Sequence, residues 1–407
     1  MDANLNKGND TPPRPPWRVV WALSVTQVIS WGSMFYSLSV LLVPIEQELG
    51  WSRNAIIGAF TLSLLCTGLA SLPVGLLIDR YGGRAVMGCG SLAGGVLFAL
   101  LGHVHTLAAF YAIWIGLGFA MSMTLYEPAF AVITANFGGQ ARKGITVLTL
   151  VGGLASTVFW PLTQFLIAEI GWRNALIVLA GFNLLVCTPL HALFLPPPPR
   201  RRSVAGLDPR TTHVTTTGPA LRDIVCTRSF LLLAATFTAN MLAFSAFSMH
   251  LVPLLHERGF SVAHTVMLAA LVGPMQVAGR VWEYTIGASM RTTQVAMIAL
   301  TLFPVAVALL YFAGSGWPLV IAFITCYGIS NGIVTIARGT IPAEIFGRER
   351  YGAVNGALSA PVLASRAVGP LGASLIWSAT GSYDAVILVL GAIGMIAAAT
   401  FVLAVKI

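Results

Sequence analysis

Residues 75 to 84 read GLLIDRYGGR, a short charged stretch flanked by the apolar runs 54 to 78 and 85 to 103. A helix needs roughly 20 predominantly apolar residues to cross the hydrocarbon core of a bilayer, and both runs meet that length. A loop with Asp79, Arg80 and Arg84 between two such runs is a helical hairpin turning at a membrane surface. Scanning outward finds the same alternation along the chain, with spans expected at 18–43, 54–78, 85–103, 107–136, 145–168, 173–195, 229–256, 262–288, 292–313, 317–343, 352–378 and 384–405. The composition agrees: 57% of the 407 residues are hydrophobic and 9% are charged, too little polar surface to coat a soluble globule of this size.

The longest polar stretch separates the sixth and seventh spans. It begins PPPPRRRS at Pro196, where prolines cannot continue a helix. The expected organisation is a polar, Pro-rich cytoplasmic N-terminus (1–17), a first six-helix bundle (18–195), a cytoplasmic linker (196–228) and a second bundle (229–407). The first apolar run is too long for a signal-peptide core and lacks a small-residue cleavage site, so it stays as a spanning helix. With the N-terminus inside, seventeen Lys and Arg fall on the cytoplasmic side and three, Arg53, Arg173 and Arg258, outside. Arg280, Arg338 and Arg366 lie within spans and complete the 23. The positive-inside rule therefore places both termini in the cytoplasm. The net charge of +9 reflects this topology rather than nucleic-acid binding, since no continuous basic face or stacking platform accompanies it. The five cysteines are scattered, with neither metal-ligand nor disulfide-framework spacing. PLTQFLIAEIGWRNALIVLAG from Pro161 and PLGASLIWSATGSYDAVILVLGA from Pro370 echo each other, as two parallel bundles would.

GLLIDRYGGR resembles the G-x-x-x-D-R-x-G-x-R signature of the major facilitator superfamily, with Gly75, Asp79, Arg80, Gly82 and Arg84 at its positions. The resemblance implies an all-α integral membrane protein: twelve transmembrane helices as two pseudo-symmetric six-helix bundles around a central cavity. It also implies that the motif latches the halves together when the cavity faces outward. Gly75 permits close helix packing, Asp79 suits the positive N-terminal end of a neighbouring helix, and Arg80 and Arg84 suit surface carboxylates. The equivalent stretch of the second half, Glu283 to Arg291, has Gly287 and Ala288 where Asp-Arg would stand. Within the superfamily, MHLVPLLHERGFS (249–261), the Gly279-Arg280 pair and GWRNA (171–175) resemble the bacterial monocarboxylate and oxalate/formate branch. The first span lacks the acid that animal monocarboxylate transporters carry there, and Gln276 stands where those relatives have Asp.

Arg280 lies well inside its span, at a cost of roughly 2.5–3.5 kcal/mol for a cation at the centre of a spanning helix. Two readings stay open, an anchor for a substrate carboxylate and a salt bridge to Glu283 or another acid. Glu283 can instead pair with Arg338. Arg366, near the middle of the eleventh span, either faces substrate beside Arg280, as a basic residue on this helix does in the oxalate/formate relatives, or makes a helix contact. Glu127 is expected within reach of Arg80 or Arg84 as a charge relay, with proton carrier the second reading; His250 is either a polar contact or a coupling site. Tyr36, Tyr126 and Tyr327 sit on spans that line the cavity in this superfamily. Each phenol can donate to a carboxylate, with Asn331 one turn beyond Tyr327, or can make an interhelical hydrogen bond.

The expected function is secondary active transport of a small organic anion, a monocarboxylate first, by alternating access with proton symport or anion exchange. No cofactor, metal or nucleic acid is expected; the partners are the anion, a proton or exchanged anion and the lipid of a bacterial inner membrane, and the carrier is expected to be a monomer. GGLASTVFWPL (152–162) faintly resembles the fifth-helix motif of drug antiporters and keeps efflux of toxic compounds as the alternative. A membrane sensor is the remote one. No nucleophile and base pairing or nucleotide loop suggests an enzyme.

Overall fold

The computed structural model describes residues 16–197 and 221–406, so the predicted polar N-terminus and most of the linker lie outside the described residues. In chain order α1 (Trp17–Ser30) and α2 (Leu38–Leu49) are joined by a π-helical stretch, Trp31–Tyr36. Next come α3 (Arg53–Leu101), α4 (Leu107–Thr124), α5 (Tyr126–Phe137), α6 (Ala141–Gly152) and α7 (Ala155–Phe182), and a second π-helical stretch, Asn183–Cys187, leads into α8 (Thr188–Phe194). The second half comprises α9 (Leu221–Val225), α10 (Arg228–Glu257), α11 (Val262–Ala270), α12 (Val272–Thr285), α13 (Thr292–Ala313), α14 (Trp317–Phe346), α15 (Tyr351–Thr380) and α16 (Tyr383–Val405). Among the described residues the regular structure is entirely helical.

Seven stretches of the described residues are long and apolar enough to cross a membrane. Two of them are compound. Asn54–Leu101, 48 residues, reverses at Gly82, whose φ of 78° and ψ of 161° break the helix where the sequence places a loop. A side chain there would be strained, which is why the motif needs glycine at this point. Leu107–Phe194 turns in the same way at Gly138 and at Gly171, the latter with φ 78° and ψ 159°. The two expected spans absent from the seven are 262–288, split into α11 and α12, and 352–378, which lies in α15. They carry Arg280, Glu283 and Arg366, and the first is broken at Leu271 into helices of 9 and 14 residues, each too short to span by itself.

Three buried apolar clusters hold the helices. One is built from α1 to α8, joined by Ile336 and Tyr351 from the second half, and two are built from α9 to α16. Around them large apolar side chains face outward, with Leu185 78%, Phe312 75% and Leu69 74% exposed. Water would penalise such a surface and hydrocarbon would not.

The echo between the halves is realised in detail at the ends of the helices remote from Gly75–Arg84, here the far side. Arg173 pairs with Glu48 at 2.8 Å and donates to the carbonyls of Gly102 and Val104. In the second half Arg258 pairs with Asp384 at 2.7 Å and donates to the carbonyl of Leu310. The same lacing occurs twice with its charges exchanged: the first half has the acid at the end of α2 and the cation in α7, the second the cation after α10 and the acid in α16. Trp172 donates to Glu48 and Trp377 to Glu257. Each lacing ties helices within one half.

The hydrogen bonds that join the halves cluster toward the motif side. Asp79 accepts from the backbone N–H of Gly352 at 3.0 Å and of Ala353 at 2.7 Å, the first turn of α15, a position favoured by free N–H groups and the helix dipole. Ser71 donates to the carbonyl of Gly356. A Cβ on Gly75 would overlap the carbonyl of Gly352, so glycine at 75 is what lets α3 and α15 approach this closely. Two expectations are corrected. Arg84 donates to the carbonyl of Leu195 at 2.7 Å and Arg80 lies over the Tyr81 ring, so neither cation meets a carboxylate among the described residues.

Gly75→Val is expected to weaken the motif-side contact by about 1–3 kcal/mol, the usual cost of overpacking. Spin labels at Gln140 and Ser289 should then report a larger and broader separation than in the unsubstituted protein; an unchanged separation would show that the glycine contact does not hold the halves together.

Candidate functional site

Besides the π-helical stretch Asn183–Cys187, four helical stretches break near mid-depth. The first span becomes π-helical at Trp31–Tyr36, α4 passes into α5 at Leu125, α6 into α7 at Gly153–Leu154, and α11 into α12 at Leu271. Irregular backbone at membrane depth persists only where protein or a cavity satisfies its polar groups. Gln27 does so at the α4–α5 break, its amide nitrogen donating to the carbonyl of Thr124 at 2.7 Å and of Leu125 at 3.3 Å. Its amide oxygen accepts from the indole N–H of Trp31, which couples the break to the π-helical stretch.

The charged groups around these breaks sort into two kinds. Glu283 is buried and taken by Arg142 of α6, Nε to Oε1 at 2.5 Å, with Thr146 donating to its other oxygen at 2.8 Å. Arg142 also donates to the carbonyls of Met290 and Gly287, so one guanidinium fastens α6 to the turn after α12. Glu127 is taken by Arg338 at 2.5 Å. Both pairs cross between the halves, and both correct the sequence reading: Glu283 meets neither Arg280 nor Arg338, and Glu127 meets neither Arg80 nor Arg84. Arg80 and Arg84 are engaged by the Tyr81 ring and the Leu195 carbonyl, whereas both carboxylates face cations of the opposite half.

The second kind is uncompensated. Arg280, 5% exposed, donates one bond, Nη1 to the carbonyl of Thr149 at 3.0 Å, and its Nε has no partner. Arg366 is half-buried and lies over the rings of Trp31 and Phe35, 5.6 and 5.3 Å from their centroids. Among the described residues neither has a carboxylate partner. The fields of both cations reach the Tyr36 hydroxyl, and that of Arg280 reaches Tyr126. Tyr126 packs against Trp31, centroids 5.0 Å apart, and its hydroxyl would lie 2.8 Å from a Cβ on Gly152. A Cβ on Gly153 would overlap Nη1 of Arg280. The glycine pair at the α6–α7 break thus makes room for a phenol and a guanidinium side by side.

Other candidates lie elsewhere. Tyr327 is 1% exposed inside the core of the second half, stacked on Phe244 at 4.6 Å and donating to that residue's carbonyl at 3.0 Å. It is not brought together with Arg280. Asn331, one turn on, is half-buried, and among the described residues its side chain makes no hydrogen bond to Arg280 or Arg366. His250 shares hydrogen bonds with the Tyr383 hydroxyl, the Pro370 carbonyl and Ser374, a contact among α10, α15 and α16 toward the far side. No group of three or more His, Cys, Asp or Glu among the described residues is placed to hold a metal.

The model of the Major Facilitator Superfamily matches residues 23–286. The chain belongs to that superfamily. It is similar to human monocarboxylate transporter 14, 28% identical over 206 residues that cover 48% of this chain and 40% of the relative. It is also similar to the probable L-galactonate transporter of Escherichia coli K12, 26% identical over 159 residues, 39% of this chain and 35% of the relative. Rat monocarboxylate transporter 12 aligns more widely, 24% identical over 81% of this chain and 72% of the relative. The chain thus spans less than half the length of the first two. Among solved structures, the human organic anion transporter MFSD10 has a TM-score of 0.72 at 18% identity, covering 95% of this chain and 99% of the other. The superfamily transporter FucP, in its outward conformation, has a TM-score of 0.74 at 12% identity, with 94% and 98% covered. Identities this low establish a common superfamily fold.

The sequence reading missed Arg142, counted only as a topology charge, and the cradle of Trp31, Phe35, Thr149 and Gly153. The Gly152-Gly153 pair was the available signal, since adjacent glycines inside a span mark close backbone approach.

Arg142→Gln leaves the Glu283 carboxylate buried without its cation, for which a loss of about 3–5 kcal/mol is expected. The double variant with Glu283→Gln should recover most of it. Thermal unfolding of both variants checks this, and equal destabilisation by the single and double changes would refute the coupling. Gly153→Val is expected to displace the Arg280 guanidinium while leaving a folded protein, read as lost ligand binding with a retained melting transition.

Proposed function

We propose that this superfamily member is a secondary active transporter of a small organic anion, a monocarboxylate first, working by alternating access of two six-helix halves. The observation that carries the reading is the pair of uncompensated cations. Buried Glu283 and half-buried Glu127 are taken by Arg142 and Arg338, which leaves Arg280 and Arg366 without carboxylates in the cluster that holds Trp31, Phe35, Tyr36 and Tyr126. A bound carboxylate supplies the missing charge and accepts the N–H groups that Arg280 does not use. Arg280 is the anchor, Arg366 the second cation, and the two phenols orient the anion while Trp31 and Phe35 pack on its apolar part. The names of the similar proteins, monocarboxylate transporters and an organic anion transporter, support the same substrate class.

Twelve spans follow from dividing the compound stretches at their turns and adding the two polar ones. The positive-inside count supports a cytoplasmic motif side; in a bacterial inner membrane, the location we propose, the inter-half bonds there correspond to a carrier closed inward and open outward. Proton symport or exchange for a second anion supplies the driving force. Glu127, Glu283 and His250 are the titratable groups available for coupling; both glutamates are in ion pairs that must part when the motif side opens.

Uptake of labelled lactate, pyruvate and oxalate into proteoliposomes, with and without an inward-acid gradient, tests the proposal. Arg280→Gln should abolish uptake and Arg366→Gln should reduce it, selectively for oxalate if both cations engage a dianion. Normal affinity in the Arg280→Gln carrier would refute the anchor. No uptake of any acid by folded protein would favour export of toxic compounds.

A further inference from the structure

A cleft of about 420 Å³ opens on the motif side between the halves, away from Arg280 and Arg366. Its volume lies in the range of sites for small ligands, roughly 300–1,000 Å³. The α5–α6 turn and the start of α6 form one wall, with Lys143 from α6; the α12–α13 turn and the end of α14 form the other, with Arg291 from that turn and Arg348 just beyond α14. Arg142 also lines it but is committed to Glu283, Gly287 and Met290. Lys143, Arg291 and Arg348 are exposed and, among the described residues, none has a carboxylate partner. Glu344 is the one lining acid outside an ion pair. Gly138, whose φ of 51° suits glycine, lies beside the Arg348 guanidinium, with Nη1 3.4 Å from where a Cβ would stand. Positive-inside topology requires cations in these loops, but it does not require three from opposite halves to face one cavity.

We infer that this cleft is a binding site for a phosphate-bearing anion that bridges the halves and favours closure of the motif side. Two guanidinium forks and an ammonium suit the charge and acceptor oxygens of a phosphoryl group. One wall belongs to each half, so a ligand bound to both stabilises the closed arrangement and, by linkage, is bound more tightly by it. The effect on closure rests on the alternating-access reading; the binding site does not. Phosphate chemistry reaches this surface either as an anionic lipid headgroup or as a soluble phosphate. Tyr284, which lines the cleft and is 45% exposed, and Ile286, 59% exposed, would accommodate the acyl chains of the former.

The test uses full-length protein without any carboxylate substrate. Pyrophosphate is titrated calorimetrically into protein in phosphatidylcholine nanodiscs, with and without phosphatidylglycerol, and retained lipid is read by native mass spectrometry. At least one probe should bind, and the Lys143→Gln/Arg291→Gln/Arg348→Gln protein should bind it about tenfold more weakly or worse, the loss expected of at least one charge-assisted hydrogen bond. Glu344→Gln should tighten binding, an effect that misfolding does not produce. Lys406→Gln, a cation outside the cleft, should leave it unchanged. Competition by phosphatidylglycerol identifies a lipid site, and pyrophosphate binding indifferent to that lipid identifies a soluble one. Failure of both probes, or an equal loss in Lys406→Gln, overturns the site. Spin labels at Gln140 and Ser289 should report a narrower separation with ligand, and no change overturns the effect on closure. A carrier that takes up no carboxylate leaves the binding results standing.

Discussion

The ion pair between Arg142 and Glu283 is the interaction on which the arrangement turns. A carboxylate at this depth is unstable alone, and Arg142 arrives from the opposite half to neutralise it while binding two carbonyls of the same turn. The pair therefore does three things at once. It stabilises Glu283, fastens the halves on the motif side, and removes the one acid that lies a helical turn from Arg280. Without it, the carboxylate nearest to Arg280 in sequence, three residues along the same helix, would have no cation from the opposite half.

The backbone is organised around the same problem. Helices that cross a membrane satisfy their own polar groups, and each break exposes some of them. Here the breaks at Leu125 and Gly153 lie beside Tyr126 and Arg280, and Gln27 and Arg280 donate to neighbouring carbonyls. The irregular geometry costs little, because the side chains that satisfy it are also those that face the site. The glycines at 152 and 153 leave the volume in which a phenol and a guanidinium meet.

The two lacings of the far side show what each half contributes by itself. Arg173 with Glu48 and Arg258 with Asp384 tie loops within a half, and their carboxylates are largely exposed, at 48% and 63%. Exposed pairs of this kind contribute little each, typically below about 1 kcal/mol. They set the shape of a bundle rather than the contact between bundles. The inter-half bonds are shielded, several end on backbone atoms, and they concentrate on the motif side.

Hydropathy, charge placement and one motif were enough to determine that the chain is a helical membrane protein, that it reverses at Gly82 and Gly171, and that it belongs to its superfamily. These are local properties: an apolar run has nowhere else to go, and a motif is read along the chain. The deep arginines were also legible, since a cation inside a span stands out wherever it folds. What they pair with was not. Glu283 lies three residues from Arg280 and pairs with a residue 141 positions away. Tyr327, on a helix that lines the cavity in the superfamily, turned its ring into the core of its own half. Which acid meets which base, and which face of a helix looks inward, depend on the packing of helices far apart in sequence, and only the tertiary structure decided them.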